Sequence, residues 1–179
     1  MNVLLNYLSM LFACLFLSTA VDKLRNWKHH LQTMKAYDIL PHPLVAPFHV
    51  MFVCSELIVS LTLFLKGPTW YNQFLSIALF VTYTAAIAVN LYRGHRNIDC
   101  GCGGFLNSED LHVGLIVRNV ILMLGSGALL FFLDVTIDLS WMERIATFLL
   151  AIASLMLFML SREANKIKEK LHRLQTKLF

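Results

Sequence analysis

Apolar positions along the chain gather into five long runs, about 3–21, 45–65, 70–92, 111–133 and 141–160, separated by short polar segments. Each run has about the 20 residues that a helix needs to cross the hydrocarbon core of a bilayer, and none is long enough to hide a second span. Lipid offers no partner to backbone N–H and C=O groups, so spanning segments of this length predict helices. The expected fold is an all-α integral membrane protein. Five transmembrane helices form a bundle over residues 1–160, and residues 161–179 form a basic tail. The first run reads as a span and not as a cleaved leader, because no Lys or Arg precedes it and Leu17-Ser18-Thr19-Ala20 is a poor cleavage site. There is no internal repeat.

The connecting segments carry their own patterns. Trp27 to Leu40 predicts a short helix along the membrane surface, ended by Pro41 and Pro43, with a bend before the second span because proline disfavours helix in the residue before it. Gly67-Pro68 predicts a tight turn that joins spans two and three into an antiparallel hairpin. In the tail, Ala164, Ile167, Leu171, Leu174 and Leu178 recur at spacings of three and four among basic residues, the stripe of an amphipathic helix lying on lipid.

Composition agrees: 58% of the 179 residues are hydrophobic, 15% are charged, and mean hydropathy is +0.64. The net charge of +4 is accounted for by the tail and the first loop, so a nucleic-acid partner is not implied. Lys23, Arg25, Lys28 and Lys35 follow span one, Arg93 and Arg96 follow span three, and six further cations follow span five. With five spans these all fall on one face. The positive-inside rule then predicts a multi-pass protein of the cell membrane with an outside N-terminus and a cytoplasmic C-terminus.

The chemistry-bearing stretch is Asn97-Ile98-Asp99-Cys100-Gly101-Cys102-Gly103-Gly104-Phe105, at the rim between spans three and four. Two cysteines with one intervening residue can close only a small disulfide ring, which departs from relaxed geometry and is easily reduced. Gly101 removes a side-chain obstacle to that turn, and Gly103 lets another backbone come close. Both suit thiol–disulfide exchange, with Cys100 and Cys102 as the catalytic pair of a thiol-disulfide oxidoreductase. Asp99 opposes the thiolate of Cys100, which leaves Cys102 as the favoured nucleophile. Two other readings stay open: a metal-handling protein with His95, Cys100, Cys102 and His112 as ligands, and a non-catalytic scaffold whose tail recruits a partner. Cys14 and Cys54 lie within spans, where cysteine behaves as a small apolar residue.

Glu56 in span two and Arg118 in span four lie about 11 and 7 residues past the same rim, so their depths differ by roughly 6 Å and an ion pair is expected. Intramembrane charges are costly and mark functional sites. Asn90 and Asn119 lie toward that rim as well, giving a polar cluster beneath the cysteine loop in which Arg118 stabilises a thiolate or an anionic quinone-like species. The residues specify no cofactor; quinone is the candidate acceptor for electrons.

These residues together resemble the MauE/DoxX family of redox-associated membrane proteins, in particular its MauE-like branch. The resemblance covers about Leu4 to Leu133 and rests on Asp99-Cys100-Gly101-Cys102-Gly103-Gly104, with Ser18 to Leu24 closing span one, Tyr37-Asp38-Ile39-Leu40-Pro41 before span two, Glu56, Asn90, and Arg118-Asn119. It implies a bundle with a four-helix core and a role in which a thioredoxin-like partner forms or isomerises disulfides in a client protein. It also implies cysteines outside the cytoplasm, opposite to the charge pattern. The charge pattern sets the expectation here: a reporter fused after Phe179 should fluoresce as a green fluorescent protein and be inactive as alkaline phosphatase, and the reverse result would invert the topology.

Overall fold

In the computed structural model, the described residues are 2–95, 98, 100–101, 111–132 and 141–178. They form six α-helices: α1 (Asn2–Arg25), α2 (Trp27–Ala36), α3 (His42–Lys66), α4 (Trp70–Tyr92), α5 (Val113–Ala128), which runs into a 3-10 turn (Leu129–Phe132), and α6 (Trp141–Leu178). No strand occurs among the described residues. Five of the helices, all but α2, are long and apolar enough to cross a membrane, and the chain is a multi-pass helical membrane protein.

α1 is the central helix. It packs against α3 on one side and α6 on another, while α4 and α5 form the opposite pair, of which α4 meets α3. Its buried residues Met10, Phe12, Ala13, Cys14, Leu15 and Phe16 go all round its circumference, as expected of a helix enclosed by neighbours. The outer helices instead show lipid an apolar face, including Val50, Ile58 and Leu61 on α3 and Leu149, Leu150 and Leu157 on α6. Cys14 is buried and Cys54 is exposed on the lipid face.

Burial of apolar surface does not drive helices together inside lipid, so association rests on close packing and interhelical hydrogen bonds. Close packing appears where α5 meets α1: a Cβ on Gly125 would lie 3.3 Å from the Phe12 ring. The hydrogen bonds are distributed over the bundle. Ser60 Oγ donates to the Ala13 carbonyl (2.8 Å), tying α3 to α1, and Asn6 Nδ2 donates to Thr147 Oγ1 (2.6 Å), tying α1 to α6. Ser126 Oγ donates to Gln73 Oε1 (2.8 Å) between α5 and α4, and Thr62 Oγ1 donates to Asn72 Oδ1 (2.7 Å) between α3 and α4.

Several boundaries differ from those read in the sequence, each for a local reason. α3 begins at His42, three residues earlier than expected, because Pro43 falls in the first turn, where its missing N–H removes no helical bond. α2 ends at Ala36 and not at Leu40, and Asp38 follows in the left-handed region (φ 48°). The Gly67-Pro68 turn is present, with Gly67 at φ 77° and its N–H donating to the Leu63 carbonyl (3.1 Å). α6 does not stop at Leu160 but runs unbroken for 38 residues, since neither glycine nor proline interrupts the passage from apolar to basic sequence.

An interhelical bond in lipid contributes about 1 kcal/mol. Thr147→Val, which leaves the Asn6 amide without its acceptor, should lower stability toward detergent-induced unfolding by about that amount, while Thr82→Val, on an exposed turn of α4, should change it little.

Candidate functional site

The site lies where the C-terminal ends of α1 and α4, the N-terminal end of α3, and α2 come together. α2 folds back over the rim of the bundle, and its last buried residues hold the first half of the cysteine motif. The Tyr37 hydroxyl donates to the Cys100 carbonyl (2.8 Å), and Arg93 Nη1, just past α4, donates to the Asp38 carbonyl (2.9 Å). Gly101 adopts φ 65°, and a Cβ there would lie 3.2 Å from Thr33 Cγ2. Two independent constraints, a left-handed backbone and the close approach of α2, thus require glycine between the cysteines.

Cys100 is buried, and with Gly101 it forms part of the wall of a cavity of about 420 Å³. The rest of the wall is mostly apolar, from Met34 on α2, Phe48 and Phe52 on α3, and Val81, Ala86 and Val89 on α4. Lys23, His30, His49 and Tyr83 complete the wall.

Beneath the cavity lies an ion pair. Lys23, at the end of α1, turns inward and bonds Glu56 Oε1. The Tyr83 hydroxyl donates to the same carboxylate oxygen (2.6 Å) and accepts from Lys23 Nζ (2.9 Å). The ammonium also lies 4.6 Å from the Tyr83 ring centroid. Glu56 is fully buried and Lys23 is 3% exposed. The expected partnership of Glu56 with Arg118 is therefore not formed. Equal depth permitted it, but Lys23 lies on the helix that packs directly against α3. Arg118 Nη2 instead reaches Asn119 Oδ1 (3.4 Å), and among the described residues Arg118 is not part of the cavity wall.

Asn119 does come near Glu56. Both line a void of about 10 Å³, close to the volume of a single water site. Glu56 Oε2 and Asn119 Nδ2 are buried and have no protein partner among the described residues.

Asn90 serves the end of α4: its Oδ1 lies 3.3 Å from His95 Nδ1 and its backbone carbonyl accepts from the His95 N–H (3.0 Å). His95 and His112 are exposed, and His112 caps the start of α5. Among the described residues, no three His, Cys, Asp or Glu side chains gather as a metal site. Asp99, Cys102 and Gly103 lie outside the described residues.

The histidines that do enter the site are His30 and His49, 3% and 1% exposed, their rings stacked at 6.2 Å and inclined by 20°. His30 Nε2 donates to Asp22 Oδ2 (3.0 Å), and the Trp27 ring meets the His49 ring edge-on at 4.4 Å. Burial pushes the His30 imidazole below its usual pKa, against the opposing pull of Asp22. Sequence reading gave these two residues no role in the site, nor Tyr83, and named Lys23 and Tyr37 only within the stretches that carry the family resemblance, Lys23 also among the rim cations. A histidine within a span, as His49 is, was the available signal.

The fold and the site define a class: a helical membrane protein with a cysteine motif clamped against a lipid-bounded cavity. Residues 1–133 match the family described as "Methylamine utilisation protein MauE", and the chain belongs to that family. It is 34% identical over 96 residues to the methylamine utilization protein MauE of Methylophilus methylotrophus, which spans 54% of this chain and 50% of the relative. It is 30% identical over 121 residues to that of Methylorubrum extorquens, covering 68% and 65% of the two chains. It is also 30% identical over 156 residues to that of Paracoccus denitrificans, covering 86% and 82%. The match therefore spans half to about four-fifths of the length of these relatives. No solved structure matches the chain.

Removing one partner from a buried ion pair leaves an uncompensated charge, at a cost of about 3–5 kcal/mol. Lys23→Met should cause a loss of that order in detergent unfolding, and adding Glu56→Gln to it should recover most of the loss. If the double variant were as unstable as the single one, the pairing would be refuted.

Proposed function

We propose that this chain is an accessory membrane protein of methylamine utilisation that exchanges electrons with a thioredoxin-like partner through Cys100 and Cys102, supporting disulfide formation or maturation of a client. Membership of the MauE family supports the accessory role. The observation that carries the thiol chemistry is the way Cys100 and Gly101 are held. A hydroxyl fixes the Cys100 carbonyl, and glycine is enforced at the one position between the cysteines. A chain fastened at Cys100 and Gly101 keeps the Cys100 sulfur at a defined place for a partner to meet.

The exchange step balances as follows. A partner thiolate attacks Cys102 Sγ of the Cys100–Cys102 disulfide, and Cys100 leaves as a thiolate. The partner's second thiolate then attacks its own sulfur in the mixed disulfide and releases Cys102. The partner loses two electrons and gains a disulfide, and this chain becomes the dithiol. The small ring favours this direction, because a disulfide that is hard to close is easily opened. Glu56, Asn90 and Asn119 act as positioning residues beneath the loop, and Gly101 and Gly103 grant access to it. Asp99 and Arg118 set the local charge. The distribution of basic segments supports a cytoplasmic location for this face and for the C-terminus at the cell membrane.

The step runs in reverse with an oxidised partner: Cys102 attacks the partner's disulfide, one partner thiolate leaves, and Cys100 resolves the mixed disulfide, so in the Cys100→Ser variant that forward resolution is lost and the adduct on Cys102 persists. This variant should accumulate a dithiothreitol-sensitive adduct with a thioredoxin-fold protein, whereas Cys100→Ser/Cys102→Ser should form none. Absence of any adduct, with both sulfurs inert to alkylation in the wild-type protein, would refute the exchange.

A further inference from the structure

The cavity beside Cys100 shows which kind of molecule enters it. Its lining includes Val81, Ala85 and Val89, which fall on successive turns of α4 and are exposed on a spanning helix. Exposure there is exposure to acyl chains, so the cavity opens sideways into the bilayer between α3 and α4. Val81 lies 11 residues before the end of α4 at Tyr92, which puts the inner end of the cavity about 16 Å below the rim, near the bilayer middle. A water-soluble ligand has no entry along that side. A membrane-dissolved one does.

The volume, about 420 Å³, suits a small organic ring system. The polar groups of the wall are few. His49 is part of the wall, and its Nε2 is buried with no protein partner among the described residues, a polar atom that an apolar chain filling the cavity would leave unsatisfied. Lys23 and Tyr83 neighbour it, and Cys100 stands at the rim end. A lipid acyl chain matches the apolar wall but not the imidazole or the thiol. A flat ring with a carbonyl oxygen matches all three.

We infer that this cavity binds a membrane-soluble quinone, with a ring oxygen accepting a hydrogen bond from His49, and that the quinone reoxidises the dithiol of Cys100 and Cys102. This rests on the exchange reading above, and it supplies the electron acceptor which that cycle needs. Two thiols lose two electrons and two protons and join as a disulfide. The quinone takes both and becomes the hydroquinone, which leaves by the same lateral opening.

The test uses the full chain in lipid nanodiscs with Trp70→Phe and Trp141→Phe, so that Trp27, beside His49, is the reporting tryptophan. Decylubiquinone should quench it saturably. Ala86→Phe, which fills the cavity, should weaken binding about tenfold or more, and Cys100→Ser/Cys102→Ser should still bind saturably. The pre-reduced protein should form one hydroquinone per chain, and the double-cysteine variant none. Quenching that does not saturate, that is unaffected by Ala86→Phe, or that decylphosphocholine abolishes equally well would overturn the quinone site; in those cases an adduct still trapped by Cys100→Ser would show that thiol exchange survives without it. Saturable binding with neither hydroquinone nor adduct would instead overturn the electron transfer.

Discussion

The ion pair between Lys23 and Glu56 holds the arrangement together. Two charges in lipid are tolerated only when each satisfies the other, and here the satisfaction requires three helices at once: Lys23 from α1, Glu56 from α3 and Tyr83 from α4. The pair fixes the rotation of α1, because the lysine must point inward from the last turn of a helix whose next residues would otherwise carry it to water. With α1 so rotated, Asp22 falls on the side where α2 returns, and it receives His30. The docking of α2 follows from the charge buried below it.

From that docking the site is assembled. α2 contributes the tyrosine that holds the Cys100 carbonyl and the threonine that crowds Gly101, while its neighbours α3 and α4 form the walls of the cavity. α3 and α4 are joined by the contact of Glu56 with Tyr83 at mid-helix and of Thr62 with Asn72 at the turn, and the cavity lies between them toward the rim. Cys100 and Gly101 are held in place by a short surface helix that is itself locked by a buried histidine and followed by the tyrosine that bonds Cys100.

Much of this architecture was legible in the chain. The five spans, the hairpin at Gly67-Pro68 and the special place of Glu56 all follow from hydropathy, glycine conformations and the cost of burying charge. What could not be read was direction. Lys23 stands beside Arg25 and Lys28 in the sequence, and nothing in the periodicity separates the cation that turns inward from those that turn to the surface. The Glu56 and Arg118 pairing failed for the same cause: depth along the bilayer is readable from residue counts, but the identity of the facing helix is a tertiary fact. His30 and His49 were hidden because they come together only when α2 folds back across the start of α3. The boundary at Leu160 was a change of composition and not of conformation.

The continuity of α6 sets a geometric condition on whatever visits the rim. At 1.5 Å per residue, the part of the helix beyond Leu160 is about 27 Å long, roughly the diameter of a small domain, and continues the spanning segment without a break. It stands on the same side of the membrane as α2 and Cys100, since an even number of crossings separates α1's end from its own. A globular protein descending on the sulfurs would have this column along its whole flank. The angle of approach is therefore restricted before any contact with the cysteines is made.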